Sequence, residues 1–396
     1  MSSTKPFAGV TVLDFSRVLA GPFCTAMLAD LGAEIIKVEP PTGDDQRSMG
    51  AFSQGISVSF ELINRNKRSI RLDLKSEEGR AIARRLAARS DVVVENFRPG
   101  VARKLGIDAE TLRGERADLI YCSISGFGQD GPLARAPSYD VVAQALSGLM
   151  SITGEPDGEP MMVGDSVGDT VSGLYAGFAI AAALYRRATT GEGATLDIAM
   201  FDSLFSLLPT ALAQLQVNDQ APTRQGNQHP LSAPFGAFAA KGGTIIIAIA
   251  NNSLFARFAA TIGRSELADD PRYASDRERR VNRDALRAEI ESWSRDLSPE
   301  AAVERLAAAG IPASVVWDVA EAADSAHARH RRLMTTVEHD RLGTLRLPEQ
   351  PVHVAGLDRG EARPAPELGE HGGPILQDML DMDAGEIARL RAAGVI

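Results

Sequence analysis

The chain reads as an α/β protein, a large domain with a Rossmann-like parallel sheet joined to a smaller α/β domain. Three observations predict this. At 396 residues the chain is long for one domain. Short apolar runs alternate with helical patterns through the first half, as a parallel sheet covered on both faces requires. The composition then shifts at 218–234, a stretch rich in Gln, Asn and Pro that reads as a linker, before a second block of strand and helix patterns. The predicted division is 1–217 as the first part of the large domain, 226–318 as the small domain and 319–396 as a C-terminal segment.

Residues 10–15 (VTVLDF) make a short apolar strand. Gly21-Pro22 and a helical pattern over 23–31 follow, stopped by Gly32. Residues 34–38 (EIIKV) and 69–74 (SIRLDL) are the next strands, the latter alternating Ile70, Leu72 and Leu74. Ser76 caps a helix to Ala88, with Glu77 and Glu78 in the first turn, where negative charge suits the helix dipole. Residues 91–97 (DVVVENF) and 119–125 (LIYCSIS) continue the series. A helix over 139–150 leads to a Gly/Pro/Asp-rich turn at 154–160. A long apolar helix then runs from Asp169 to about Arg187, with Gly173, Ala176, Gly177 and Ala181 allowing close backbone packing. Residues 194–200 are a strand, followed by a helix to Gln216.

In the second block 235–250 reads as a hairpin turned by Lys241-Gly242-Gly243. Helices at 253–262, 282–295 and 299–309 and a short strand at 313–318 complete it. The tail carries a helix, two strands near 335–338 and 344–347, and a terminal helical pair.

Composition excludes several classes. With 44% hydrophobic, 24% charged and 5% aromatic residues, the chain is not disordered, collagen-like or disulfide-stapled. Its net charge of −10, from 42 Lys+Arg against 52 Asp+Glu, argues against nucleic acid or an anionic membrane as main partner. Cys24 and Cys122 sit in neither a CxxC nor a metal spacing and read as buried packing residues in a reducing compartment. The first eight residues hold no signal-like apolar run. The charge-free run 170–185 falls short of the ~20 residues a membrane span needs. A cytoplasmic protein is expected.

GxGxxG after the first strand, GxxxxGK[ST], GxSxG and HExxH are all absent, and none of the six histidines lies in the first 228 residues. Nicotinamide, flavin, P-loop and serine-elbow readings therefore lose their usual support. No metal site and no permanently bound cofactor is expected.

Four constellations could make chemistry together. Residues 16–22 (SRVLAGP) form a turn from strand to helix whose N–H groups suit an anion, or an ordinary turn with Pro near the helix start. Residues 64–69 (NRNKRS), with Lys75 beyond, offer positive charge to an anionic ligand or simply a solvated edge. Residues 95–100 (ENFRPG) end a buried strand, where open α/β sheets bind ligands. There Asn96 offers a hydrogen bond and Phe97 a stacking face, unless the loop is merely capped around one packed ring. In 163–170 (VGDSVGDT) Asp169 is placed to cap the long helix. The helix N–H groups would also keep that carboxylate ionised, and Gly168 would leave room for a substrate, as a carboxylate nucleophile needs. Asp165 is the rival.

In this order and at these positions, the motifs resemble the class III CoA-transferases, the family of formyl-CoA:oxalate and carnitine-type CoA-transferases. The resemblance spans VLDFSRVLAGPFCTAMLADLGAEIIKVEPP, NKRSIRLDL, DVVVENFRPG, ISGFGQDGP, VGDTVSGLYAGFAIAAALYRR and TGEGATLDIAMFDS, and later RQGNQHP, APFGAF and LGEHGGPILQDML. It implies that Asp169 is the catalytic aspartate. It implies coenzyme A contacts at Val18, Ala20, Leu72, Lys75, Asn96, Phe97, Lys104 and Leu105. It places Tyr139 toward the acyl group, with Arg47 and His229 as further candidates for recognising the acid. It also implies a ring-shaped chain in an interlocked homodimer, its C-terminal tail returning to the large domain.

Three departures set the chain apart from the oxalate-specific enzymes. Leu19 replaces a glutamine, Pro40 replaces an arginine, and 225–230 (QGNQHP) replaces a glycine-rich loop. They point away from formyl-CoA and oxalate as the substrate pair. The expected reaction moves CoA from an acyl-CoA, with succinyl-CoA favoured, to a small carboxylic or dicarboxylic acid. It would run through an aspartyl-CoA thioester and mixed anhydrides, with N–H groups of 16–21 and 226–228 as oxyanion donors. An acyl-CoA racemase or epimerase of the same superfamily is the alternative, but it needs a base where this chain has Tyr139, and a phenol of pKa ~10 is a poor base at neutral pH. A non-catalytic acyl-CoA-binding protein is the other; the retained Asp169 argues against it.

Overall fold

The computed structural model describes residues 5–357 and 360–396. Residues 1–4, part of the stretch read above for a signal peptide, lie outside the described residues. The described chain forms two compact units. The first comprises 1–149, 162–213 and 326–396, and the second 150–161 and 214–325.

The first unit is built on six parallel strands: β1 Thr11–Asp14, β2 Glu34–Glu39, β3 Arg68–Arg71, β4 Val92–Glu95, β5 Ile120–Ser125 and β6 Ala194–Ala199. Their spatial order is β3-β2-β1-β4-β5-β6, a doubly wound arrangement that changes direction between β1 and β4. Side chains alternate across it, as the pleat requires. Leu13, Ile36, Val93 and Tyr121 pack on one face. Val12, Ile35, Val92, Val94 and Cys122 pack on the other.

The first face is covered by helix α2 (Glu77–Ala88) and by the C-terminal pair Gly372–Leu380 and Ala384–Ala392, through Ile82, Leu86, Ile375, Leu376, Ile387 and Leu390. The tail thus belongs to this unit, and the Asp73 N–H donates to the Val395 carbonyl at 2.8 Å. The second face is covered by α1 (Ala20–Asp30) and the long helix Val167–Thr190, through Cys24, Leu28, Ala176, Ile180 and Ala183. Gly173 permits their approach: a Cβ there would lie 2.8 Å from the Ala20 carbonyl oxygen.

Several expectations shift at their edges. The strand expected over 69–74 stops at Arg71, and Leu72 enters the core from the following turn. The helix expected to reach Gln216 is broken into Met200–Phe205 and Pro209–Asn218. The long helix has 24 residues and is apolar and long enough to cross a membrane, contrary to the estimate from its charge-free run. It nevertheless lies against α1 and the sheet.

The second unit holds a three-stranded antiparallel sheet of Phe235–Ala240, Gly243–Ala248 and Ala313–Val315. Helices Asn252–Thr261, Arg283–Ser294 and Pro299–Ala308 pack on it around Phe238, Ile245, Phe258, Ile290 and Leu306. The turn at 154–160 joins this unit. The Gly226 N–H donates to the Gly154 carbonyl at 2.9 Å, and Arg224 Nε to the Glu155 carbonyl at 3.1 Å.

Candidate active site

A cavity of about 250 Å³ opens where β1 and β4 end, at the reversal of strand order. Its wall includes Val18, Ala20, Asn96, Phe97, Tyr139 and Asp169. Residues from three of the four constellations, 16–22, 95–100 and 163–170, therefore meet at one place together with Tyr139, while none of 64–69 lines it.

The turn after β1 is fastened by buried charge. Val18 has φ +64°, a left-handed conformation that a β-branched side chain strongly disfavours. Its N–H donates to Asp44 Oδ1 at 3.0 Å, while Asp44 Oδ2 takes Lys37 Nζ at 2.7 Å. Lys37 Nζ also donates to the Ser16 carbonyl at 3.0 Å. The Asn96 amide grips the neighbouring peptide from β4. Its Oδ1 accepts the Arg17 N–H at 2.8 Å and its Nδ2 donates to the Arg17 carbonyl at 2.7 Å. Asn96, expected to bond a ligand, thus spends bonds of both kinds on tying β1 to β4. Phe97 packs against the core with the Arg17 guanidinium 5.6 Å from its ring centre. Its N–H donates to Glu95 Oε2 at 2.7 Å. Burial pushes the Glu95 carboxyl up to about 7.

Asp169 differs from expectation in one respect that matters. The helix begins at Val167 with Ser166 as its N-cap, so Asp169 sits within the first turn rather than capping it. The N–H groups expected to hold its carboxylate are taken by another acid. Asp140, the first residue of the helix Asp140–Leu146, accepts the Gly168 N–H at 2.6 Å and the Asp169 N–H at 3.3 Å through Oδ1. Burial, and then the Asp140 charge, push the Asp169 carboxyl up to about 7. It is therefore roughly half protonated at neutral pH, not fully ionised as the sequence implied.

This has a measurable consequence. kcat/KM for any reaction that needs the Asp169 carboxylate falls as pH drops through about 7; a profile flat down to pH ~5.5 contradicts it. Stability carries the opposite sign. The folded-state value lies above the unfolded value of 3.8, so the folded protein binds more protons between those limits and loses stability as pH rises through them. With the cavity open to water, Asp169→Asn should gain about 1–2 kcal/mol at pH ~8 and nothing below pH ~3.5, read by urea unfolding.

The remaining candidates do not line this cavity. Arg47 grips both oxygens of Glu39 at 2.7 Å, donates to the Pro366 carbonyl at 2.9 Å, and lies 3.9 Å over the Phe60 ring. So engaged, its guanidinium is not available to an acid, contrary to expectation. His229 belongs to the second unit, its ring 4.8 Å from Phe235 and its Nδ1 accepting the Leu231 N–H at 3.2 Å. Leu72 is fully buried and Leu105 packs on the core, while Lys75 and Lys104 are exposed. Cys24 and Cys122 are buried free thiols, that of Cys24 pushed up to about 12 by burial. Among the described residues no His, Cys, Asp and Glu cluster could hold a metal ion.

Sequence reasoning missed Asp140, Arg17, Arg98 and Met200, all but Asp140 on the cavity wall. An acid directly after Tyr139, opening a helix, was the one signal for Asp140. Arg17 and Arg98 lay inside the 16–22 and 95–100 motifs without being singled out, and nothing local marks Met200.

The fold thus presents a cavity of mixed polar and apolar lining at the switch point of a parallel sheet, with the half-buried carboxylate of Asp169 on its wall. Comparison with known proteins gives the family. The model of CoA-transferase family III matches residues 7–372. The acetyl-CoA:oxalate CoA-transferase of Acetobacter aceti is 42% identical over 96% of this chain and 97% of its own. The succinyl-CoA:glutarate CoA-transferase of Mus musculus is 37% identical over 100% and 91%. The crystal structure of a CAIB/BAIF family protein from Brucella suis superposes with a TM-score of 0.84 at 36% identity, covering 95% of this chain and 100% of that one. The chain belongs to CoA-transferase family III. It is a transferase of CoA between an acyl-CoA and a carboxylic acid.

Proposed function

We propose that the chain moves CoA from succinyl-CoA to a small carboxylic or dicarboxylic acid, with Asp169 as nucleophile. The observation that carries this is the Asp169 carboxylate on the wall of the switch-point cavity, beside Val18, Ala20, Asn96 and Phe97. An Asp169 oxygen attacks the thioester carbonyl, the C–S bond breaks, and a mixed anhydride and CoA thiolate result. The thiolate attacks the Asp169 carbonyl, expelling the first acid and leaving an aspartyl-CoA thioester. The incoming carboxylate attacks that thioester, giving a second anhydride and thiolate. The thiolate then attacks the acyl carbonyl of the new acid, and the Asp169 carboxylate is regenerated. One thioester replaces another and no water is consumed.

Each tetrahedral species needs donors aimed at its oxyanion. With the Arg17 and Val18 N–H groups engaged, those of Leu19 and Ala20, opening α1 on the cavity wall, are the ones available on this turn. Val18, Ala20, Asn96 and Phe97 would border the thioester end of CoA. Leu72, Lys75, Lys104 and Leu105, which follow β3 and β4, would border the rest, the two lysines meeting phosphate. Tyr139, 69% exposed on the wall, would face the acyl group. Arg17 and Arg98 would replace the engaged Arg47 in meeting a second carboxylate. Relatives that act on glutarate and oxalate support a short dicarboxylate as acceptor.

The protein would work in the cytoplasm as an interlocked homodimer of ring-shaped chains. Support comes from apolar side chains left exposed on and after the long helix, Leu174, Phe178, Tyr185, Leu207 and Val217.

The test is a panel of carboxylic acids offered with succinyl-CoA or acetyl-CoA and read by mass spectrometry. The expected result is a new acyl-CoA and free succinate in equal amounts. Hydrolysis alone, or solvent deuterium entering the α-carbon with no acceptor acid present, would contradict it.

A further inference from the structure

We infer that Asp140 is a positioning residue for the nucleophile: by taking the backbone N–H groups of Gly168 and Asp169, its carboxylate holds the first turn of the long helix and leaves the Asp169 carboxylate free of backbone donors. This rests on the role of Asp169 proposed above and deepens it.

The arrangement is held from behind. Asp140 Oδ2 accepts from Gln144 Nε2 at 2.6 Å, one helical turn on, and Gln144 is fully buried. The Gln144 Oε1 accepts the Val163 N–H at 2.9 Å. One amide thus links Asp140 to the segment that leads into the nucleophile's helix. Gly168 completes the fit, because a Cβ there would lie 2.8 Å from Asp140 Oδ1. Ser172 Oγ donates to the Gly168 carbonyl at 2.6 Å and closes the turn.

The chemistry follows from what the helix terminus does and does not touch. Its unpaired N–H groups and positive dipole end would ordinarily stabilise a nearby anion. Here they stabilise Asp140. Asp169 therefore keeps its lone pairs for a carbonyl carbon, and its carboxyl group can attack through an oxygen and later be attacked at its carbon without breaking a backbone bond. Other charged or titratable groups stand around this helix. Arg17, Asp45, Arg98 and Tyr139 are on the cavity wall, Asp165 on the turn before the helix, and Asp202 and Asp197 on the elements beside it, with the thiols Cys24 and Cys122 buried beneath. Of these and Asp140, it is the Asp140 charge that acts on Asp169.

Two variants separate charge from geometry. Asp140→Asn keeps an acceptor for the two N–H groups and loses the charge together with the acceptor for Gln144. Asp140→Ala loses both. The titration of Asp169 is followed by carbon-13 NMR of labelled aspartate in the substrate-free enzyme, and kcat/KM by its pH profile. In Asp140→Asn the Asp169 midpoint should fall by about one pH unit, and the acid limb of the profile should follow it. In Asp140→Ala kcat at pH ~8.5 should fall on the order of 100-fold with CoA affinity unchanged, and Asn should recover at least about tenfold of that loss. An Asp169 midpoint unmoved in Asp140→Asn overturns the inference, as does wild-type kcat in Asp140→Ala. If the alanine variant does not fold, the asparagine variant decides alone. The NMR titration needs no turnover, so a wild-type chain that moves no CoA, yet whose Asp169 responds to Asp140→Asn, would refute the transferase mechanism and leave the positioning role standing.

Discussion

Replacing Asp169 by Asn or Ala is expected to lower CoA transfer on the order of 10,000-fold or more while leaving CoA binding within about threefold of wild type. The reason is covalent. The amide of Asn is a poor nucleophile and Ala offers none, so neither the anhydride nor the aspartyl thioester can form. The nearby groups are otherwise committed: Asp45 pairs with Arg17, Asp140 holds the Gly168 N–H and Gln144, and the thiols of Cys24 and Cys122 are fully buried and shifted up by burial. Binding is expected to survive because Val18, Asn96 and Phe97 are set by the Asp44, Lys37 and Glu95 contacts, not by Asp169. Steady-state transfer and equilibrium CoA binding, measured on the same samples, check both halves. Full activity in Asp169→Ala would end the account.

Asp14→Ala should cost about 3–5 kcal/mol of stability, because it strands buried positive charge. Asp14, Lys37 and Lys67 are all fully buried or nearly so. Asp14 Oδ2 takes Lys67 Nζ at 3.1 Å and Thr25 Oγ1 at 2.6 Å, and Oδ1 takes the Ser16 N–H at 2.9 Å and the Ser16 hydroxyl. Burial alone would raise the Asp14 carboxyl, but Lys67 and Lys37 hold it below its ordinary range. Its contribution is therefore present above the unfolded value of 3.8 and lost as pH falls through the lower folded value. Lys67 behaves in the opposite sense: burial brings it down to about 8 despite Asp14. Between about 8 and 10.5 the unfolded chain binds more protons, so that lysine makes stability rise with pH. In Asp14→Ala the lower edge of this window should move to lower pH, while its upper edge stays. Urea unfolding at several pH values reads both effects; a loss below ~1 kcal/mol at pH 7 would contradict the assignment.

What the sequence made legible was local. Short apolar runs in 10–15 and 91–97 marked strands that are buried on both faces, and Ser76 with Glu77 and Glu78 marked a helix start. Position 169 drew attention locally only as a helix cap with room for a substrate beside it, and its catalytic role came from the family resemblance. What it could not reveal were partners far away along the chain. The acid that takes the Gly168 N–H lies 28 residues earlier, so the capping role went to Asp169 by default and its protonation was misjudged. Arg47 looked available because Glu39 belongs to a strand eight residues back. Lys37 lay within a strand pattern that gave no hint of its full burial against Asp44. The 154–160 turn looked like a link within one domain, because its bonds to Gly226 and Arg224 span some 70 residues.

The most direct measurement is chemical trapping of the covalent intermediate. The protein is incubated with acyl-CoA, treated with hydroxylamine, digested and mapped by mass spectrometry. The account predicts a hydroxamate on Asp169 alone, absent without acyl-CoA and absent in Asp169→Asn. Active enzyme with no adduct, or with the adduct on another side chain, would contradict it.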